Sequence, residues 1–276
     1  STVVFNRPNT TISGTTSRFY NVQIADDADI TNQTGSTMKI AGAITRTGSE
    51  TGKWYADVFD ATIEYNGGDQ TVIHPDGTPD YHHLTLSGNG IKTMPSSLLS
   101  LHRNFTLSGT ASATAAGNMS IGGNLSIETG TTFATGAFNH SVGGNIICDG
   151  TLTPISGSMI TMNGSSAQTI QGEAATIALG GLTVSNTNGV TLYNQATTAA
   201  LDISSGAFTV TAGKSLTASG ETKLSSAHCL VLKSDTTGTA SFKDNGTITS
   251  TNGGTALIER FLTPYDEVSD LKFHFL

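Results

Sequence analysis

Asn104-Phe-Thr-Leu-Ser-Gly-Thr, Asn124-Leu-Ser-Ile-Glu-Thr-Gly and Asn145-Ile-Ile-Cys-Asp-Gly-Thr are versions of one phrase, set 20 and 21 residues apart. The last two carry matching lead-ins, Ser120-Ile-Gly-Gly and Ser141-Val-Gly-Gly. A fixed period near 20 marks a solenoid, in which each repeat buries its apolar side only against its neighbours. Inside each phrase apolar and polar residues alternate, as they do in a strand with one buried side. Gly and Asn follow, and they supply the positive φ of tight corners.

Working outward, alternating segments recur near Val22, Ala43, Ile63, Leu84, Phe105, Leu125, Ile146, Leu182 and Leu201, with room for one further turn over residues 159–170. A second match joins Ile63-Glu-Tyr-Asn-Gly-Gly-Asp-Gln-Thr-Val-Ile to Ile160-Thr-Met-Asn-Gly-Ser-Ser-Ala-Gln-Thr-Ile. The spacing predicts an all-β chain, a right-handed parallel β-helix of about eleven to thirteen coils. Tandem β-sandwiches would explain short strands but not the constant step. The solenoid is expected over residues 1–254, with an N-terminal cap within residues 1–20. Residues 255–276 read as a terminal strand or cap, then the start of a truncated further module.

Composition narrows the function. Of 276 residues only 12% are charged, 32 are Gly, and the net charge is −8. This acidity argues against a nucleic-acid partner, which requires a dense basic footprint. No apolar run reaches the ~20 residues of a spanning helix. The start at Ser1, without a signal peptide, reads as a processed or excised segment. Cys148 and Cys229 form no disulfide framework or metal-type pair, and Cys148 falls on an inward strand position.

Leu230-Val-Leu-Lys-Ser-Asp-Thr-Thr-Gly-Thr-Ala-Ser-Phe-Lys-Asp-Asn-Gly-Thr-Ile, with Ala256-Leu-Ile-Glu-Arg-Phe-Leu after it, resembles a block common in large secreted surface proteins of the Bacteroidota. In those proteins the block closes an array of Asn-initiated β-repeats. The resemblance spans residues 80–276. It implies an extracellular or cell-surface location on a Gram-negative bacterium, type IX secretion, a larger parent chain and an adhesin-like role without an active site. Surface glycans or further copies of the chain are the expected partners.

Several clusters could carry chemistry. Asp26, Asp27 and Asp29 offer hard oxygen ligands for calcium, against the plainer reading of a solvated corner. Asp57, Asp60, Glu64, Asp69, Asp76 and Asp80 form an acidic stretch. A 20-residue coil would place Asp60 beside Asp80 as the carboxylate pair of a glycoside hydrolase or polysaccharide lyase, with Lys53 and Lys92 as neighbouring bases. His74, His82 and His83 share a loop segment with two carboxylates, a set that can bind zinc but in no established spacing. Trp54, Tyr55, Tyr65 and Tyr81 could stack on sugar rings as a carbohydrate-binding module, or pack the core. Asn104, Asn124 and Asn145 are expected to stack as a structural ladder at one corner, with His83 at the equivalent place one coil earlier. No Ser-His-Asp order is visible.

Overall fold

The protein is described by a computed structural model over residues 1–49 and 51–261. Those residues form a parallel β-solenoid of short strands with no helix. One sheet runs through every coil. Its twelve strands begin with Thr16–Phe19, include Thr62–Tyr65, His83–Leu86, Phe105–Leu107, Leu125–Ile127 and Ile146–Cys148, and end with Ala256–Ile258. Eleven steps at ~4.8 Å give a rod on the order of 50 Å.

The repeated phrase lies on this sheet in the predicted register. Leu84 pairs with Phe105, Phe105 with Leu125, and Leu125 with Ile146. The step is not constant: Leu192 pairs with Val210 and Leu232 with Ile258, steps of 18 and 26 residues. The extra residues leave at corners. The longest such excursion here includes an antiparallel pair, Ser234–Asp235 with Gly238–Thr239, before the parallel pattern resumes at Ser241–Asp244.

Period-two alternation sends one side chain of each strand pair inward. Thus Ile63, Tyr65, Leu84, Leu86, Phe105, Leu107, Leu125 and Ile127 stack in the core. Cys148 is in that stack as a free thiol, and burial raises its pKa to about 11.

The other two sides of the coil are interrupted. Ile44–Arg46 ends one three-stranded sheet and Lys53–Tyr55 ends another. On one side pairing resumes with Gln70–Thr71. On the other, only the bridges Ala56↔Tyr81 and Tyr81↔Leu101 continue to the eight-stranded sheet that starts at Leu99–Leu101. The chain between these points carries the histidine- and aspartate-rich segment.

One boundary expectation changes and one is met. Residues 1–20 are not a separate cap: Thr2–Phe5, Thr10–Ile12 and Thr16–Phe19 form a full first coil, paired with the second on all three sides. Phe5 packs edge-on to Phe19 at 5.9 Å within this coil. The terminal strand expected after residue 254 is Ala256–Ile258, paired with Leu230–Leu232. The expected start of a following module lies outside the described residues.

Candidate functional site

The asparagine ladder is present, in a form that joins side chain to backbone. Asn104 Oδ1 accepts from the backbone N–H of Asn124 at 2.9 Å, Asn124 Oδ1 from Asn145 at 2.8 Å, and Asn145 Oδ1 from Thr169 at 2.8 Å. His83 opens the series, its Nδ1 accepting from Asn104 N–H at 3.4 Å. Each acceptor satisfies a corner N–H that the strand ladder cannot reach.

Carboxylates do the same work at other corners. Asp69 accepts from Ile91 N–H at 2.7 Å and Asp149 from Glu173 N–H at 2.8 Å. Asp26 accepts from Ser49 N–H at 3.0 Å and from the Thr51 hydroxyl at 3.3 Å. Asp29 stands in a strand opposite Lys53. Asp26 and Asp27 both accept from the Thr51 hydroxyl of the next coil while Asp29 belongs to a strand, and the three do not form a ligand cluster among the described residues.

The expected Asp60–Asp80 pair is also corrected. The strand step here is 21, with Thr62 under His83, which moves Asp80 out of line with Asp60; from the turn before that strand Asp60 reaches His83, 23 residues on, its Oδ1 3.3 Å from Nε2. Asp80 is held elsewhere, by Ser100 N–H at 2.7 Å, Ser100 Oγ at 2.8 Å and His74 Nδ1 at 2.9 Å. Among their neighbours, Glu64 pairs with Lys39 and accepts from Ser87. Asp76 pairs with Arg46 and accepts from Trp54 N–H.

Neither lysine is a base beside that pair. Lys53 faces Asp29 across the ladder. Lys92 is fully buried and donates to Gly67 O and Gly68 O at 2.8 Å and to Gln70 Oε1 at 2.7 Å.

Trp54, Tyr65 and Tyr81 are fully buried, so the expected sugar-stacking surface is corrected to a piece of core. Alternation explains it: in Lys53–Tyr55 the middle residue points inward. Trp54 meets Tyr81 edge-on at 5.8 Å, and the Tyr65 and Tyr81 hydroxyls lie 3.2 Å apart. The Tyr65 hydroxyl accepts from Ile73 N–H, and that of Tyr81 donates to Ile73 O. Burial raises the Tyr65 pKa to about 12, and burial together with the neighbouring Tyr65 raises that of Tyr81 as well. Only Tyr55 is partly exposed.

Two groupings remain that linear reading did not assemble. In the first, Ser97 Oγ lies 2.6 Å from His74 Nε2, and His74 Nδ1 lies 2.9 Å from Asp80 Oδ1. The Ser-His-Asp order absent from the sequence is thus made by the fold, from residues 23 apart that meet across one coil. In the second, Asp60, His82 and His83 bring one ligand atom each within 4.8 Å of the others. Searches of protein-family models, curated proteins and solved structures find no match.

His82 is the buried member of the second grouping, 3% exposed, and neither ring nitrogen has a hydrogen-bond partner among the described residues. Its ring lies 4.8 Å from His83, 5.0 Å from His102 and 5.3 Å from Phe59. Burial first, then the neighbouring His83, His102 and Arg103 charges, lower its pKa, with Asp60 opposing.

Proposed function

We propose that this chain is a non-enzymatic segment of a larger extracellular or cell-surface protein, a rigid β-solenoid that spaces or presents adhesive surfaces. The observation that carries this reading is the use of its polar groups. Across the acidic stretch, Glu64, Asp69, Asp76 and Asp80 each bind a neighbouring coil or loop instead of standing open to a substrate. Such bracing suits a load-bearing rod, since every corner bond couples adjacent repeats. The block over residues 230–262 that resembles Bacteroidota surface proteins supports the location and an export route by type IX secretion.

Two measurements test it. Antibodies to the chain should label intact, unpermeabilised source cells. The purified chain, incubated with neutral and acidic polysaccharides, should leave their masses unchanged. Labelling only after permeabilisation removes the surface assignment, and new oligosaccharides remove the non-enzymatic one.

A second reading rests on Ser97, His74 and Asp80. In that order the imidazole can take the hydroxyl proton as Oγ attacks an ester carbon, and the carboxylate stabilises the imidazolium. Ser97 is exposed and accessible to a surface ester such as an acylated glycan. On this reading the chain hydrolyses p-nitrophenyl acetate, and Ser97→Ala lowers the rate by roughly a hundredfold or more at unchanged melting temperature. Equal rates for the two proteins leave the relay as a tie between the loop and the next coil.

A further inference from the structure

We propose that Asp60, His82 and His83 form a binding site for a divalent first-row transition metal of zinc's class, placed where the asparagine ladder begins. This goes beyond the solenoid reading and does not depend on it.

Three observations converge. The ligand atoms are already within 4.8 Å of one another. Two imidazoles and a carboxylate form a borderline N/O set, which suits zinc and its neighbours better than calcium or magnesium. Most telling is His82, an imidazole almost wholly removed from solvent with no partner for either nitrogen. Leaving a buried polar group unmatched is unfavourable, and a metal bond satisfies one of its nitrogens.

Ligand atoms around a tetrahedral zinc stand about 3.3 Å apart, given bonds of about 2.0–2.1 Å. The Asp60–His83 distance of 3.3 Å already matches. Asp60 side-chain exposure is 64%, so it has freedom to adjust as the set contracts around the ion. His83 must exchange its hydrogen bonds. With Nδ1 accepting from Asn104, the proton sits on Nε2 and faces Asp60. Metal at Nε2 moves that proton to Nδ1, and the long Asn104 contact is given up. The fourth position is left to water or to His102, the next imidazole along the corner.

The site would clip residues from two successive coils where two of the three sheets are interrupted. Two variants test it without threatening the fold. Asp60 has φ 57°, a conformation that Asn tolerates, so Asp60→Asn removes the charge at a compatible position. His83→Asn installs the residue that fills the same ladder place at Asn104, Asn124 and Asn145.

Zinc chloride is titrated calorimetrically into the tag-free chain, and cobalt(II) is followed by its visible spectrum. The expected result is one saturable site with a nitrogen-ligated cobalt spectrum and a zinc-dependent rise in melting temperature. Affinity should fall by roughly tenfold or more in each variant, while the metal-free melting temperatures stay close to that of the unsubstituted chain. The proposal is overturned if the unsubstituted chain shows no saturable site, if either folded variant binds zinc equally well, or if calcium competes on equal terms.

Discussion

Lys92 is the residue whose position is hardest to expect from a sequence with so few charges. Its stem crosses the core, and its ammonium caps two carbonyls of the preceding corner and the amide of Gln70. Gln70 in turn accepts from Gly67 N–H and donates to Ile40 O and Gly42 O. Gln168 repeats this brace, accepting from Gly164 N–H and donating to Val142 O and Gly144 O, and Asn186 stands on it as Lys92 stands on Gln70. Burial lowers the Lys92 pKa to about 8, with Asp69 pulling it back up. Between pH 8 and 10.5 the unfolded chain therefore holds a proton that the folded chain has lost, so Lys92's contribution makes stability rise with pH there. Cys148 acts in the opposite sense above pH 9, because its thiol ionises later when folded. Comparison with Lys92→Met cancels that term. Urea unfolding should show the original chain gaining on the variant with pH above 8, by at most about 1.4 kcal/mol per pH unit. Parallel stability curves from pH 7.5 to 9.5 would mean that Lys92 does not titrate in that window.

At the scale of the element, the corner ladder depends on an acceptor of fixed length rather than on asparagine itself. Asp69 and Asp149 make the same contact to the next coil's N–H. Asn124→Ala strands the N–H of Asn145 and should destabilise the chain by about 1–2 kcal/mol, whereas Asn124→Asp should remain within about 0.5 kcal/mol. Denaturant midpoints compare the two, and equal losses would show that the amide's donor matters as well. These corners also explain what was legible in the sequence. The Asn-apolar-polar-apolar phrase could be read because strand, corner and ladder all recur at one spacing on one sheet. The paired Asn-Gly-x-x-x-Gln segments were visible as a match, but their brace was not. Gln70 follows the corner of the long sheet, whereas Gln168 begins that sheet's next strand. The site residues were harder still. Asp60 reaches His83, and His74 reaches Ser97, only after loops of unequal length have set the register. A step of 21 in place of 20 removes Asp80 as the neighbour of Asp60, but only the turn before Thr62 carries Asp60 on to His83, 23 residues ahead. Tyr65 was legible as core through the alternation of its strand, whereas Trp54 and Tyr81 lie where alternation gives no such signal and their clustering suggested a binding surface.

For the whole molecule, stability is the sum of what each coil contributes and what couples it to the next. Coupling is uneven. Most adjacent coils share three strand pairs, but between Arg46 and Gln70 the long sheet alone is continuous, and one side carries no strand pair until Leu99. The other sides are joined there by the isolated bridges at Tyr81 and by ties such as Arg46–Asp76 and His74–Ser97. A weak interface in a linear array divides it into separately unfolding parts. The chain's one tryptophan, Trp54, lies buried at the near side of this junction against Tyr81. Its fluorescence therefore reports the first coils, while far-ultraviolet circular dichroism averages over all of them. In urea the fluorescence transition should come at lower denaturant than the dichroism transition, a separation that two-state unfolding forbids. Arg46→Ala, which removes a tie without touching the core, should widen the gap. Zinc should narrow it, because an ion held by Asp60, His82 and His83 adds a cross-coil bond at the poorly paired junction. Coincident transitions, unmoved by either change, would show that the long sheet alone makes the rod one cooperative unit.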